Sequence, residues 1–117
     1  MKKIFIIEDD ADTIDIIEFV LRDNGYAVIK ANRQVPINEF IIISPNLIIL
    51  DVRLPFALGS DICLELKSNP KTKHIPVILY SASNNLKTIA EKCLADAYIE
   101  KPFDLAKLLK IIANMSL

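Results

Sequence analysis

Charged and hydroxyl residues follow short apolar runs at several places in the sequence. Five residues occupy such positions: Glu8, Asp9, Asp51, Ser81 and Lys101. Carboxylates that meet in one place repel one another, and their pKa values rise unless a cation neutralises them. Mg²⁺ prefers oxygen ligands, usually one or two carboxylates together with waters and phosphate oxygens. If these side chains converge, they indicate a magnesium site that handles a phosphoryl group.

Asp51 is the carboxylate best placed to act as a nucleophile. In-line attack on a phosphoryl donor would give an aspartyl phosphate. The ammonium group of Lys101 could neutralise the phosphate oxygens, and the hydroxyl of Ser81 could donate one further hydrogen bond. Phosphoryl transfer requires mainly positioning and charge neutralisation, and these residues could supply both.

The run of residues 47–50 predicts the central strand of the fold. Four consecutive large aliphatic residues without polar alternation are typical of a strand that is buried on both faces. Pro55 cannot continue a central ladder, so the strand ends before it. Asp51 is therefore expected at the carboxyl edge of a sheet, where open α/β sheets place their ligand sites.

The other apolar segments alternate between strand and helix patterns. Strands are predicted at 3–7, 26–30, 47–50, 77–80 and 97–100, and a helix is predicted after each of them. Such alternation predicts an α/β fold in which a parallel sheet carries helices on both faces through right-handed crossovers.

The first helix shows the expected signals most clearly. Asp10 or Asp12 can cap its N-terminus, and Asn24-Gly25 predicts a left-handed turn at its end. Its inward stripe is expected to contain Ile14, Ile17 and Leu21, widened by Ile16, Phe19 and Val20.

Composition limits the possible functions. The chain has 117 residues, 52% of them hydrophobic, and a net charge of −1, so no overall field favours nucleic acid or an anionic membrane. No apolar run approaches the roughly 20 residues of a membrane span, and acids interrupt the N-terminal run too early for a signal peptide. We expect a cytoplasmic protein.

Cys63 and Cys93 fit no metal-ligand spacing and are expected in the core, with a disulfide or reactive thiol as the alternative.

The chain resembles the receiver domains of bacterial two-component response regulators. The resemblance covers residues 1–117 and depends on four segments in order at strand ends: Ile6-Ile7-Glu8-Asp9-Asp10, Ile49-Leu50-Asp51-Val52-Arg53-Leu54-Pro55, Pro76-Val77-Ile78-Leu79-Tyr80-Ser81-Ala82 and Tyr98-Ile99-Glu100-Lys101-Pro102-Phe103. It implies a flavodoxin-like (βα)5 fold with strand order 2-1-3-4-5, and no output domain is expected within the chain.

The resemblance also implies roles for individual residues. Asp51 matches the phosphorylated position, and the implied Mg²⁺ (or Mn²⁺) ligands are Glu8 through water, Asp9, Asp51 and the carbonyl of Arg53. Lys101 matches the lysine that pairs with the phosphate, and its bond to Pro102 is expected to be cis. Ser81 and Tyr98 match the two switch residues. Such a domain promotes its own phosphorylation and dephosphorylation but is not classed as an enzyme.

The implied partners are proteins. A sensor histidine kinase or a histidine phosphotransfer protein would supply the phosphoryl group. A downstream effector or an output domain would respond to the surface of the fourth helix, fifth strand and fifth helix, which could also form a homodimer. Direct binding to nucleic acid or membrane is not expected.

Some positions depart from the usual receiver pattern. Leu58 stands where Asp or Asn is common, and Leu94 stands where glycine is usual, so both put local loop geometry in doubt. Arg53 and Ser83 match positions that tune the lifetime of the phosphate, which we expect to be altered. Gly59 is one of two glycines and is expected to supply backbone freedom beside the site or a plain turn.

Three other functions compete with a phosphorylated receiver domain. A receiver-like interaction module that is never phosphorylated remains the alternative. A flavin-binding protein would need a Ser/Thr/Gly-rich loop after the first strand, and the acidic loop here would repel phosphate. A haloacid-dehalogenase-like phosphatase would fit Asp10-Ala11-Asp12, but the chain is short for one and its best nucleophile follows the third strand.

Overall fold

The structure, a computed structural model, describes residues 1–101, 104–115 and 117. Its strands are β1 (Lys3–Ile7), β2 (Ala27–Ala31), β3 (Leu47–Asp51), β4 (Val77–Ser81) and β5 (Ala97–Glu100). Its helices are α1 (Ala11–Asp23), α2 (Ile37–Ile43), α3 (Gly59–Ser68), α4 (Leu86–Lys92) and α5 (Leu105–Ala113). Each strand is followed by a helix, as the sequence predicts.

The five strands form one parallel sheet in the order β2-β1-β3-β4-β5. This confirms the predicted fold class and strand order. All five residues of β3 are buried, because this strand lies in the centre of the sheet and is covered on both faces. Its alternating side chains supply both halves of the core: Ile48 and Leu50 face one apolar cluster, and Leu47 and Ile49 face the other.

The helices divide between the two faces of the sheet. The first cluster contains side chains of α2, α3 and α4, and the second contains those of α1 and α5.

Cys63 and Cys93 are free thiols that are buried in the first cluster. Burial, followed by the charge of Cys93, raises the pKa of Cys63. The expectation that both cysteines are core residues is therefore confirmed.

The buried stripe of α1 is narrower than the sequence pattern predicts. Ile14, Ile17 and Leu21 are buried, but Ile16 is 55% exposed and Phe19 is 73% exposed. The prediction of a wider stripe is wrong, because the sheet covers only one side of the helix and apolar residues beyond that side face solvent.

Positive φ angles occur at three places in the described ranges 1–101, 104–115 and 117. Gly25 has a φ of 88° and ends α1 in the left-handed turn that Asn24-Gly25 predicts. Leu94 has a φ of 65° after α4, and Ser44 has a φ of 49° after α2. Leu94 thus adopts, at a position where receivers usually have glycine, a conformation that favours glycine.

Among the described residues, no helix is both long enough and apolar enough to span a bilayer.

Candidate functional site

Three carboxylates meet at the carboxyl edge of the sheet. Glu8 and Asp9 follow β1, Asp51 ends the adjacent β3, and each offers an oxygen within 4.8 Å of the other two. Glu8 is 1% exposed and Asp51 is 6% exposed, whereas Asp9 lies at the surface. The neighbouring strands thus bring together the acids that the sequence places far apart.

Asp9 is the solvent-facing member of this acidic cluster (Glu8, Asp9 and Asp51). Its backbone N–H donates to Oε2 of Glu8 at 2.9 Å. Loss of hydration, followed by a hydrogen bond with the Glu8 side chain, raises the pKa of Asp9 even though the residue is exposed. The shift has the direction expected of carboxylates that crowd together.

Lys101 neutralises part of this negative charge. Its Nζ donates to Oδ2 of Asp51 at 2.9 Å and to Oε1 of Glu8 at 3.2 Å. Partial burial alone would lower the pKa of Lys101, but the hydrogen bond with Asp51 and the charges of Asp51 and Glu8 outweigh it, so the pKa is raised. Lys101 is therefore a protonated cation that lies directly against the proposed phosphorylation site.

Tyr80 lies beneath this ammonium group. Its ring centroid is 4.6 Å from Nζ of Lys101, and only 1% of the residue is exposed. Burial, followed by the negative charge of Glu8, raises the pKa of Tyr80. Tyr80 is not among the predicted site residues, although an aromatic residue directly before Ser81 in a buried strand is a signal that the sequence contains.

Of the remaining predicted residues, Arg53 contacts an acid of the cluster, and Ser81 and Tyr98 lie on the neighbouring strands β4 and β5. Ser81 ends β4, is 2% exposed, and its Oγ accepts a hydrogen bond from the backbone N–H of Ser83 at 3.3 Å. Arg53 is exposed, and its backbone N–H donates to Oδ1 of Asp51 at 3.1 Å. Tyr98 lies on β5 and is 36% exposed. The bond between Lys101 and Pro102 lies outside the described residues.

The loop after β3 is held tightly against Asp51. The N–H of Gly59 donates to the carbonyl of Val52 at 2.7 Å. A Cβ at Gly59 would lie 2.0 Å from the carbonyl oxygen of Asp51. Gly59 is therefore required for close approach of two backbone segments, and its φ is not in the left-handed range, which corrects the expectation of backbone freedom.

Two nearby residues, Asp10 and Leu58, lie at the N-termini of helices. Asp10 is the N-cap of α1, where its side chain accepts from the N–H of Thr13 at 3.0 Å. The hydrogen bond from the Thr13 hydroxyl, followed by this one from the Thr13 N–H, lowers the pKa of Asp10. Leu58 occupies the N-cap of α3 and makes no side-chain cap hydrogen bond.

The donor set suits a hard divalent cation. All three side chains offer carboxylate oxygens, which Mg²⁺ and Mn²⁺ accept as ligands. A cleft of about 340 Å³ opens beside Glu8 and Asp9, on the side of α1 and β2. The residues therefore fit the expected metal, which would share Glu8 and Asp51 with the ammonium of Lys101.

Comparison with known proteins identifies the family. The sequence profile of the response regulator receiver domain matches residues 4–113. The chain belongs to this family. Receiver domains act as signalling switches in response regulators, and the fold and acidic pocket described above agree with that assignment.

Individual relatives support the same assignment. The chain is 31% identical over 112 residues to the DNA-binding dual master transcriptional regulator RpaA of Synechocystis, covering 93% of this chain and 46% of that protein. The chain thus spans about half the length of the curated relatives it matches.

Two solved structures show the same architecture. A CheY-like response regulator receiver domain protein from Methanospirillum hungatei is 26% identical, with a TM-score of 0.85 over 97% of this chain and 92% of that one. The Mn²⁺-bound form of response regulator Rcp1 is 25% identical, with a TM-score of 0.76 over 99% of this chain and 92% of that one.

Proposed function

We propose that this receiver domain is a phosphorylation-activated switch in which Asp51 accepts a phosphoryl group from a histidine kinase or a histidine phosphotransfer protein. One observation carries the proposal: the buried Asp51 carboxylate lies 2.9 Å from the ammonium of Lys101 and converges with two further acids. This arrangement unites a nucleophile, a cation for the phosphate oxygens and ligands for a metal.

Glu8, Asp9 and Asp51 would hold Mg²⁺ (or Mn²⁺), with Glu8 acting through water and the carbonyl of Arg53 as a further ligand. The metal would neutralise charge on the phosphoryl oxygens as they approach the carboxylates. The Mn²⁺ in the Rcp1 structure is consistent with such a site.

The transfer itself requires little covalent chemistry from the protein. A carboxylate oxygen of Asp51 forms a bond to phosphorus while the bond between phosphorus and the donor's imidazole nitrogen breaks, and the imidazole retains that electron pair. The N–H of Arg53 orients one oxygen of Asp51, and Lys101 contacts the other. Lys101 then pairs with the phosphoryl oxygens, whose charge replaces that of the free carboxylate.

The phosphoryl group would next favour one of two conformations of the domain. The Oγ of Ser81 accepts a hydrogen bond of 3.3 Å from the N–H of Ser83, and its hydroxyl would donate a shorter, charge-assisted hydrogen bond to the phosphate. Because β4 pairs with β5, a shift at Ser81 reaches Tyr98 and the surface of α4, β5 and α5. We propose that the partner, an effector, an output domain or a second copy, binds this surface in the cytoplasm.

An interaction module that is never phosphorylated is the second candidate. The double ion pair of Lys101 favours it, because Lys101 offsets part of the negative charge of Glu8 and Asp51 from within the protein. The two functions differ in their response to a small phosphoryl donor, since only the switch would react.

Intact-mass measurement after treatment with acetyl phosphate tests the proposal. The protein should gain the mass of one phosphoryl group with Mg²⁺ and no such mass with EDTA. Asp51→Asn should remain unmodified, whereas Asp61→Asn, at an exposed acid in the first turn of α3, should react like the parent. Modification of Asp51→Asn, or an unreactive parent, would contradict the proposal, and the second result would favour the interaction module.

A metal titration tests the ligands separately. Mn²⁺ binding, followed by its electron paramagnetic resonance signal, should weaken at least tenfold in Asp9→Asn, which corresponds to about 1.4 kcal/mol. Equal affinity in the parent and this variant would exclude Asp9 as a ligand.

A further inference from the structure

The aromatic ring of Tyr80 and the ammonium of Lys101 come from the carboxyl ends of the neighbouring strands β4 and β5. Tyr80 is the penultimate residue of β4, and Lys101 follows β5. The N–H of Lys101 donates to the carbonyl of Ser81 at 2.9 Å, which fixes the backbones of these segments side by side. The Tyr80 ring is also next to the site, because Tyr80 pairs with Asp51 in the sheet register.

Within the described part of the chain, the ammonium of Lys101 contacts both carboxylates and an aromatic ring. The carboxylates of Glu8 and Asp51 lie at 3.2 and 2.9 Å, and the face of the Tyr80 ring lies 4.6 Å from Nζ. An ammonium within about 6 Å of a ring centroid is attracted by the negative face of the π system. The Tyr80 ring is fully buried, so its position is already fixed before any ligand binds.

A divalent cation would change the balance between these partners. Glu8 and Asp51 are also the acids that converge to hold a metal, so the cation would compete with Lys101 for the same charge. The long side chain of a lysine that loses its carboxylates has many solvent-exposed rotamers available. Among the partners that the described residues give the Lys101 ammonium, the ring of Tyr80 is the one that a metal would not occupy.

We propose that Tyr80 is a positioning residue whose ring holds the Lys101 ammonium at the acidic cluster when a divalent cation binds the carboxylates, so that the ammonium is in place for the incoming phosphoryl group. This proposal rests on the proposed function. The role assigned to Tyr80 requires an aromatic ring, because an aliphatic side chain fills the same space but offers no negative face.

Nuclear magnetic resonance of Lys101 tests the contact directly. Protons that lie over an aromatic ring are shifted upfield, so the ε-methylene protons of Lys101 should resonate upfield of those of the other lysines. The shift should persist when Mg²⁺ is added to the parent and to Tyr80→Phe, and it should be lost in Tyr80→Leu. Loss of the shift in the parent at saturating Mg²⁺ would overturn the proposal.

The rate of phosphorylation by acetyl phosphate gives a second readout. Tyr80→Leu should react about fivefold more slowly than the parent at saturating Mg²⁺, because a cation–π contact of this kind is worth about 1 kcal/mol. Tyr80→Phe should restore the rate because it retains the ring. Equal rates in the parent and Tyr80→Leu, with both proteins folded, would also overturn the proposal.

The two readouts separate this proposal from the proposed function. A parent that is not phosphorylated contradicts the proposed function, and the Lys101 resonance with Mg²⁺ then decides the role of Tyr80 alone. The same resonance in the parent decides it if Tyr80→Leu does not fold, since that measurement needs no variant.

Discussion

Replacement of Gly59 by alanine should damage both stability and metal binding. The new Cβ would lie 2.0 Å from the carbonyl oxygen and 2.8 Å from the carbonyl carbon of Asp51, whereas ordinary contacts begin at 3.4 Å. The obstructing atoms are backbone, so β3 and the start of α3 must separate. Such overpacking lowers the free energy of unfolding by roughly 3 kcal/mol, and the better helix propensity of alanine offsets at most about 1 kcal/mol of this loss. We expect a net loss of about 2 kcal/mol in the free energy of unfolding.

Gly25→Ala is the matched control because the chain has two glycines with different requirements. Gly25 needs its φ of 88°, but a Cβ there would meet nothing within 4 Å. Alanine should therefore cost about 1 kcal/mol, the usual penalty of a left-handed conformation, and leave the site intact.

Urea denaturation followed by circular dichroism measures both losses, and a Mn²⁺ titration reports on the site. Gly59→Ala should be the less stable variant and should bind Mn²⁺ more weakly, because the separation displaces Asp51. Gly25→Ala should bind Mn²⁺ like the parent. If the two variants lose equal stability, or if Gly59→Ala keeps the parent's Mn²⁺ affinity, the argument for close packing at Asp51 is refuted.

Three further outcomes follow from local contacts. Leu94→Gly should raise the free energy of unfolding by about 1 kcal/mol because Leu94 has a φ of 65°, and a decrease in urea denaturation would contradict this. Asp96→Asn should lower it by about 1 to 2 kcal/mol, since Lys67, with a side chain only 8% exposed, donates to Asp96 at 2.7 Å; calorimetry showing an unchanged Tm would be inconsistent. Hydrogen bonds from Lys30 and then Arg22 lower the pKa of Glu18 below its usual 4.5, so this stabilisation is present above pH 4.5 and disappears as the pH falls through the lowered pKa. The stability difference between the parent and Glu18→Gln should therefore shrink on acidification, and a constant difference from pH 6 to pH 3 would argue against it.

The convergence of the acids could be predicted because it depends on chain direction and on the order of the strands. In a parallel sheet every strand ends at the same edge, so Glu8 and Asp51 had to lie near one another once β1 and β3 were assigned as neighbours. The same reasoning placed Lys101 after β5. The sequence could not predict that Lys101 bridges Glu8 and Asp51, because that depends on side-chain rotamers.

Other features depend on packing that no local pattern contains. The helical pattern of α1 includes Phe19, but only the position of the sheet determines that this residue is exposed. Gly59 carries no sequence signal that distinguishes a need for space from a need for a positive φ. Tyr80 reads as an ordinary residue of a buried strand until the position of Lys101 above its ring is known.

Borohydride trapping tests most directly whether Asp51 is the phosphorylated residue. Borohydride reduces an acyl phosphate to an alcohol, which converts a phosphorylated aspartate into homoserine. After treatment with acetyl phosphate and Mg²⁺, peptide mass spectrometry should find homoserine at position 51 and at no other acid. Homoserine at Asp9 or elsewhere, or none at all in a folded protein, would contradict the account of this site.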